Sequence, residues 1–255
     1  MIEHRVVING IEGIARYSEQ AVNGIFIPLL EKLTGMQQAA GRRILVLLAA
    51  PPGAGKSTLL SFLSRLAEET EGIGEIQAIG MDGFHRRQEY LLSHETLRDG
   101  KPIRMVGVKG APETFDLEAL TERIKRVSLG ESVGWPVYDR LLHNPVEDTI
   151  LVDRKIVILE GNYLLLDLEG WRELKAFADY TVSIRAEEAL LRERLISRRI
   201  RTGVAEDEAA RFVDFSDMPN VRLCLSRSMP AYLQLEIDGA GEYRIWNHTA
   251  GLMNR

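Results

Sequence analysis

The chain has 255 residues, of which 45% are hydrophobic and 27% are charged. This balance excludes a disordered chain, because enough apolar side chains are present to build a core. The 32 basic and 37 acidic side chains leave a formal net charge of −5, which disfavours a nucleic-acid or anionic-membrane partner. The single cysteine, Cys224, excludes an internal disulfide and a cysteine zinc site. No run approaches the roughly 20 apolar residues of a membrane helix, so a cytoplasmic location is expected.

The first 41 residues differ in pattern from the remainder. A short strand is predicted at Val6–Ile8, before the turn pair Asn9-Gly10. Apolar residues then recur at helical spacing, namely Ile14, Tyr17, Ala21 and Ile25, and Pro28 kinks or starts a second helix. We therefore expect residues 1–41 to form a mainly helical extension packed on a domain that spans residues 42–255.

The domain alternates strand-length apolar segments with amphipathic helical segments. Helices are predicted over 58–69, 116–129, 187–201 and 219–228, and the polar segment 203–217 has the composition of a flap. Strands are predicted over 44–50, 75–80, 133–138, 155–159 and 178–184, with further strands near 233–237 and 243–246. This alternation predicts an α/β fold with a mostly parallel five-stranded sheet and helices on both faces.

A phosphate-binding loop is predicted between the first strand and the first helix of this domain. The segment Ala50-Pro51-Pro52-Gly53-Ala54-Gly55-Lys56-Ser57 matches G-x-x-x-x-G-K-[ST] except at its first position, where alanine replaces glycine. Glycine lets successive amides face an anion, and the helix that follows contributes the positive end of its dipole. The alternative is a glycine-rich turn with a chance lysine. We expect this loop to bind a nucleoside triphosphate such as ATP through Pro52, Gly53, Ala54, Gly55, Lys56, Ser57 and Thr58.

Two acidic residues follow predicted strands and are candidates for chemistry on the phosphate. Asp82 ends the second strand, 26 residues after Lys56, and could take a proton from an acceptor hydroxyl. Glu160 ends an apolar strand, where together with Ser57 it could hold Mg²⁺. Each residue could instead have a structural role, Asp82 in a turn before glycine and Glu160 as a capping acid.

An arginine-rich segment is predicted to form a helix with one basic face. Arg194, Arg198 and Arg201 follow one another at i, i+4 and i+7, so three guanidinium groups share that face. Such a face could clamp a phosphoryl group during transfer, or it could simply be solvated surface. We expect a lid over residues 187–217 to carry these arginines.

Six blocks of the sequence carry a family resemblance, namely Pro52–Thr58, Met81–His85, Lys109–Asp116, Pro136–Arg140, Leu159–Leu165 and Asp217–Asn220. They resemble P-loop small-molecule kinases of the uridine kinase, pantothenate kinase and phosphoribulokinase group, most strongly the branch known as nucleoside/nucleotide kinase-like or fructose transport system kinase. The resemblance implies a P-loop kinase fold, Asp82 as the base, a lid helix that supplies Arg194 and Arg198, and acceptor contacts from the segment Tyr138–Arg140.

The acceptor is less well defined by the sequence. His85 could bind a substrate hydroxyl or cap its loop, Tyr138 could stack on a ring or pack in the core, and Asp139 and Arg140 could form an internal pair. Dispersed basic residues are typical of solvated surface, which favours a neutral polyol or nucleoside over a sugar phosphate. These basic residues are Arg86, Arg87, Lys101, Arg104 and Lys109.

The hypothesis is therefore a kinase that uses ATP and Mg²⁺ to phosphorylate a hydroxyl of a small metabolite, with no nucleic-acid or membrane partner. A homodimer is left open. A switch GTPase is disfavoured because no [NT]-K-x-D motif occurs, and Gly161 stands where a nucleic-acid-dependent ATPase usually has a second acid. The alternative is a P-loop NTP hydrolase or a nucleotide-dependent regulatory protein without a small-molecule acceptor.

Overall fold

A computed structural model describes residues 1–8, 10–98 and 100–246. It begins with an antiparallel hairpin of β1 (Ile2–Ile8) and β2 (Ile11–Tyr17). A continuous helical segment follows, made of α1 (Glu19–Ala21), a π-helical turn (Val22–Phe26) and α2 (Ile27–Ala40).

The helix predicted through Ile14 and Tyr17 is therefore wrong, because both residues lie in β2. Ile14 is exposed whereas Tyr17 is buried, as expected when successive side chains of a strand point to opposite faces. The spacing of these two residues, i and i+3, fits a helix and not the alternation of a strand. The structure adopts the strand because Ile2 of β1 pairs with Tyr17 across the hairpin.

The remaining elements alternate along the chain. The first half contains β3 (Ile44–Ala49), α3 (Lys56–Glu69), β4 (Ile76–Gly80), α4 (Gln88–Ser93), β5 (Glu95–Arg98), β6 (Lys101–Arg104), α5 (Leu117–Ser128), β7 (Val133–Asp139) and β8 (Asn144–Val152). The second half contains β9 (Ile156–Gly161), β10 (Tyr180–Ala186), α6 (Glu188–Arg201), α7 (Glu206–Phe212), α8 (Met218–Arg227), β11 (Leu233–Ile237) and β12 (Tyr243–Ile245).

The central sheet has the order β12-β11-β10-β3-β9-β4. Five of its strands are parallel, and β12 is antiparallel to β11 at one edge. The mostly parallel α/β fold is confirmed, with six strands instead of five. The predicted strand at 133–138 lies outside this sheet, because β7 pairs with β8 in a separate hairpin. Four consecutive residues of β8, 146–149, are exposed, whereas a central parallel strand is covered on both faces.

Two apolar cores cover the two faces of the sheet, and β3 contributes alternate side chains to both. Ile44, Val46 and Leu48 pack with the N-terminal helix, α3 and α6. Leu45 and Leu47 pack on the opposite face with α5 and β7. This arrangement explains the uninterrupted apolar run that identifies β3 in the sequence.

The predicted lid region is helical over most of its length. The Arg-rich helix is confirmed as α6, and the predicted flap at 203–217 instead contains α7 and a π-helical turn, Val213–Asp217. Ion pairs join these helices, with Arg192 Nε 2.6 Å from Asp214 and Arg199 Nη2 3.4 Å from Asp217. Within the described ranges, no helix combines the length and apolar character that crossing a membrane requires.

Candidate active site

The phosphate-binding loop connects β3 to α3 at the carboxyl edge of the sheet. Gly53 and Gly55 have φ values of +84° and +82°, in the region that glycine enters without a β-carbon penalty. A β-carbon on Gly53 would also lie 3.1 Å from the Leu191 carbonyl oxygen of α6. Ala50, which stands in place of the usual glycine, does not have a positive φ, so its methyl group causes no backbone strain. The loop therefore has the backbone form that an anion cradle needs.

Three side chains converge beside this loop. The Ser57 hydroxyl donates a hydrogen bond to Glu160 Oε1 at 2.5 Å, and Lys56 Nζ lies 3.9 Å from Glu160 Oε2. Burial raises the pKa of Glu160, the positive charge of Lys56 lowers it, and the nearby charge of Asp82 raises it further. The hydroxyl and carboxylate oxygens are hard donors, so Ser57 and Glu160 fit Mg²⁺.

Asp82 lies in a 3₁₀ turn (Met81–Phe84) that directly follows β4. The residue is exposed, at the same sheet edge as Glu160, because β4 and β9 are parallel neighbours. The negative charge of Asp82 also affects Tyr138 of β7. Burial raises the pKa of the Tyr138 hydroxyl, and the charge of Asp82 raises it further. Asp82 therefore lies at the sheet edge near Glu160, in a turn that packs on the strand that carries Tyr138 through Gly83.

The basic face of α6 lines the same cavity as the phosphate-binding loop. This cavity has a volume of about 600 Å³, and Arg194, Arg198 and Arg201 all border it together with Lys56 and Ser57. Removal of water lowers the pKa of Arg198, while the charges of Asp217 and Asp82 raise it and that of Arg140 lowers it. The predicted helical spacing thus brings three guanidinium groups to a single cavity.

His85 and Tyr138 lie on the other side of Asp82. The His85 ring stacks on Phe115 at a centroid distance of 3.9 Å and meets the Tyr138 ring edge-on at 5.3 Å. Burial lowers the pKa of His85 to about 4, so the ring is neutral at physiological pH. A neutral imidazole packed in this way can donate or accept one hydrogen bond toward a hydroxyl group.

Lys109 lies beside His85 and Tyr138 in the site. In the sequence it instead falls among dispersed basic residues, which are typical of solvated surface. Its Nζ donates to the Tyr138 hydroxyl at 2.5 Å, to Gln88 Oε1 at 2.9 Å and to the His143 carbonyl at 3.2 Å. Burial lowers the pKa of Lys109, and the charge of Arg140 acts in the same direction. One ammonium group therefore connects α4, β7 and the turn between β7 and β8.

The family model for the phosphoribulokinase / uridine kinase family matches residues 45–229, most of the chain. The chain belongs to this family. It is 41% identical over 239 residues to the uncharacterized protein YggC of Escherichia coli (strain K12), covering 93% of this chain and 97% of that protein. It is 29% identical over 224 residues to a pantothenate kinase of Shewanella loihica, and the match covers 77% of this chain and 68% of that protein.

A solved structure from Silicibacter sp. TM1040, described as a putative fructose transport system kinase, has the same fold as this family member. The two chains share 31% sequence identity with a TM-score of 0.68, and the match covers 79% of this chain and 98% of that chain. The predicted resemblance to uridine kinase and pantothenate kinase, and the P-loop kinase fold, are thereby confirmed.

The structure of this protein brings most of the site residues predicted from the sequence to one edge of the sheet. Asp139 has a local structural contact, since its Oδ1 accepts hydrogen bonds from the amides of Leu141 and Leu142. Among the dispersed basic residues, Arg87, Lys101 and Arg104 are exposed, and Arg86 pairs with Asp116 at 3.3 Å.

Sequence reasoning missed two parts of the site of this kinase-family protein. Lys109 was missed as a site residue, although the family-like block Lys109–Asp116 pointed to its neighbourhood. The sequence predicted a strand at Val6–Ile8, which lies in β1, but it missed β2 and the position of the hairpin, where Val6, Gly13 and Tyr17 line the cavity that contains the phosphate-binding loop. No motif in residues 1–17 signals that position.

Proposed function

We propose that this protein is an ATP-dependent phosphotransferase that moves the γ-phosphoryl group to a hydroxyl of a small metabolite. The carrying observation is the position of Asp82, an exposed carboxylate that directly follows β4, the parallel neighbour of the strand that carries Glu160, and precedes Gly83, which packs on the strand that carries Tyr138. A nucleoside, a sugar or a pantothenate-like alcohol are the acceptor classes proposed. The match to the phosphoribulokinase / uridine kinase family and the pantothenate kinase relative support this range.

Asp82 is proposed to act as the general base. As the acceptor oxygen forms its bond to the γ-phosphorus, the hydroxyl proton passes to the Asp82 carboxylate and the bond to the β-phosphate oxygen breaks. His85 and Tyr138, whose rings meet edge-on, are proposed to orient the acceptor hydroxyl, with Asp139 and Arg140 shaping the same pocket. Stacking on Phe115 supports a fixed orientation of the His85 ring.

The phosphate end is proposed to stabilise charge without proton transfer. The amides of Gly53 to Thr58 and the Lys56 ammonium group hold the phosphates, and Arg194 and Arg198 approach them from α6. Bound Mg²⁺, held by Ser57 and Glu160, supplies electrostatic stabilisation of the phosphate oxygens. Closure of α6 over the cavity would exclude water, which would otherwise compete with the acceptor.

The test is to measure ADP release with Mg-ATP over a panel of nucleosides, ketoses, aldoses and pantothenate. We expect one acceptor class to stimulate turnover, and Asp82→Asn to reduce that turnover by ~10²-fold or more, the usual scale for a positioned base. Asp153→Asn is the matched control, because Asp153 is an exposed aspartate that precedes β9 at the opposite edge of the sheet. Equal, acceptor-independent turnover in all three proteins would contradict the proposal and favour an NTP hydrolase.

A further inference from the structure

The cavity beside the phosphate-binding loop extends to parts of the chain that lie outside the family match at residues 45–229. The N-terminal hairpin contributes Val6, Gly13, Ala15 and Tyr17 to its lining, and the C-terminal strands contribute Ile237 and Tyr243. This part of the lining is mostly apolar, although Glu12 and Arg16 of β2 also border the cavity, whereas the part formed by the loop and α6 is basic. A single space thus joins an anion site to a largely apolar surface.

The register of the hairpin explains which side chains face this space. Val6 pairs with Gly13, His4 with Ala15, and Ile2 with Tyr17, so these six residues share one face of the two-stranded sheet. His4 and Tyr17 are buried on this face, which identifies it as the inner one. The outer face carries charged residues, including Glu3 and Arg16, whose side chains form an ion pair at 3.0 Å.

The hairpin is attached to the helix that begins at the phosphate-binding loop. Tyr17 stacks on Phe62 of α3 at a centroid distance of 4.1 Å and an interplanar angle of 17°. His4 Nε2 forms a hydrogen bond with Ser61 Oγ at 3.0 Å. Because α3 begins at Lys56, these contacts set the distance between the inner face of the hairpin and the anion site.

We infer that the inner face of the hairpin, at Val6, Gly13 and Ala15, is the wall against which the base and ribose of the bound nucleotide pack. This inference rests on the proposed function, because it assumes that a nucleoside triphosphate occupies the cavity. With the triphosphate on the loop and the α6 arginines, the largely apolar remainder of the same cavity is the surface open to the base. Small residues at 13 and 15 leave width for a flat ring between the hairpin and the C-terminal strands.

Gly13 is the position at which this inference can be tested by filling space. A β-carbon built on Gly13 meets no atom within 4 Å, and its φ lies outside the positive range. A larger side chain there would therefore enter open space without backbone strain. Gly35 of α2 also has no atom within 4 Å of a built β-carbon and is exposed outside the cavity lining, so it provides a matched control.

The experiment measures the binding of Mg-ATP and of Mg-tripolyphosphate by calorimetry to the wild type, Gly13→Leu and Gly35→Leu. Gly13→Leu should weaken Mg-ATP binding about ten-fold or more, because an added branched side chain in a fitted pocket has effects on this scale. Tripolyphosphate binding should be unchanged, and Gly35→Leu should bind both ligands as the wild type does. Gly13→Ser, a smaller addition, is measured in parallel, with folding of each variant verified by thermal melting, and should weaken Mg-ATP binding less than Gly13→Leu.

Wild-type affinity for Mg-ATP in the folded Gly13 variants would overturn the inference and leave the proposed function intact. An equal loss of both ligands in these variants would also overturn it, because the base alone should sense this wall. Absence of Mg-ATP binding by the wild type would instead contradict the proposed function itself. The three results are therefore distinguishable.

Discussion

Gly83 lies so close to the carbonyl oxygen of Pro136 that a β-carbon built on it would overlap that oxygen. This contact joins the turn that carries Asp82 to β7, the strand that carries Tyr138. The Trp135 indole nitrogen strengthens the same junction by donating to the Gly80 carbonyl at 2.8 Å. The proposed base and the acceptor side of the site are thus held together by direct backbone packing.

Gly83→Ala should therefore displace either the Asp82 turn or β7. We expect a loss of about 1–3 kcal/mol in the free energy of unfolding, the usual range for overpacking, together with reduced acceptor-stimulated turnover. Urea denaturation and ADP release measure the two effects. Gly35→Ala, whose β-carbon would meet no atom, is the control and should be neutral or slightly stabilising. A fully stable and active Gly83→Ala protein would show that the contact is not a constraint.

The arginines of α6 should differ according to the face on which they lie. Arg198 borders the cavity of the phosphate-binding loop, whereas Arg192 of the same helix pairs with Asp214 at 2.6 Å. Arg198→Ala should lower kcat/KM by ~10²-fold, if Arg198 stabilises the transferring group as proposed. Arg192→Ala should remain within about two-fold of the wild type, since exposed ion pairs contribute little. The measurement is the steady-state kcat/KM of both variants. Similar losses of kcat/KM in the two variants would contradict this difference and indicate a structural role for the whole helix.

Lys109 should affect the acceptor without affecting the nucleotide. Its Nζ connects Tyr138, Gln88 and the His143 carbonyl, and none of these residues borders the nucleotide cavity. Lys109→Met should raise the KM for the acceptor by about ten-fold through loss of orientation, with the Kd for Mg-ATP unchanged. The exposed Lys101 of β6 offers the control Lys101→Met. A change in Mg-ATP affinity with an unchanged acceptor KM would contradict this assignment.

His85 should make the protein less stable in mild acid. Because its pKa falls from 6.5 to about 4 on folding, the unfolded chain binds more protons between these values. The contribution of neutral His85 to the free energy of unfolding is therefore fully present above pH 6.5 and is lost as the pH falls toward 4. At about 1.4 kcal/mol per pKa unit, the loss is of order 1–3 kcal/mol.

The measurement is urea unfolding of the wild type and His85→Phe at several pH values from 7 to 4. Phenylalanine keeps a ring against Phe115 but cannot take up a proton, so the variant should show a weaker dependence on pH. His94→Phe is the control, because His94 is exposed and stacks on Tyr90 at 3.7 Å. An identical pH dependence in wild type and His85→Phe would exclude His85 as the source.

Much of the phosphate side could be predicted from the sequence because its information is local. The glycines, Lys56 and Ser57 lie within a few residues, and the buried strand before them has a distinctive apolar run. Arg194, Arg198 and Arg201 share a face as soon as the segment is helical, since the helix period alone determines that face. The position of Glu160 beside Ser57 followed from the rule that parallel strands end at one edge.

The sequence by itself thus determined the parallel sheet, the anion cradle and the arginine face, each of which depends on short-range periodicity or on strand ends. Only the tertiary structure decided that β7 leaves the central sheet, that Lys109 reaches Tyr138, and that the N-terminal hairpin borders the nucleotide cavity. These features join residues far apart in the chain, and their local patterns fit more than one structure. The spacing of Ile14 and Tyr17 suits a helix, yet pairing with β1 and packing on α3 place both residues in a strand.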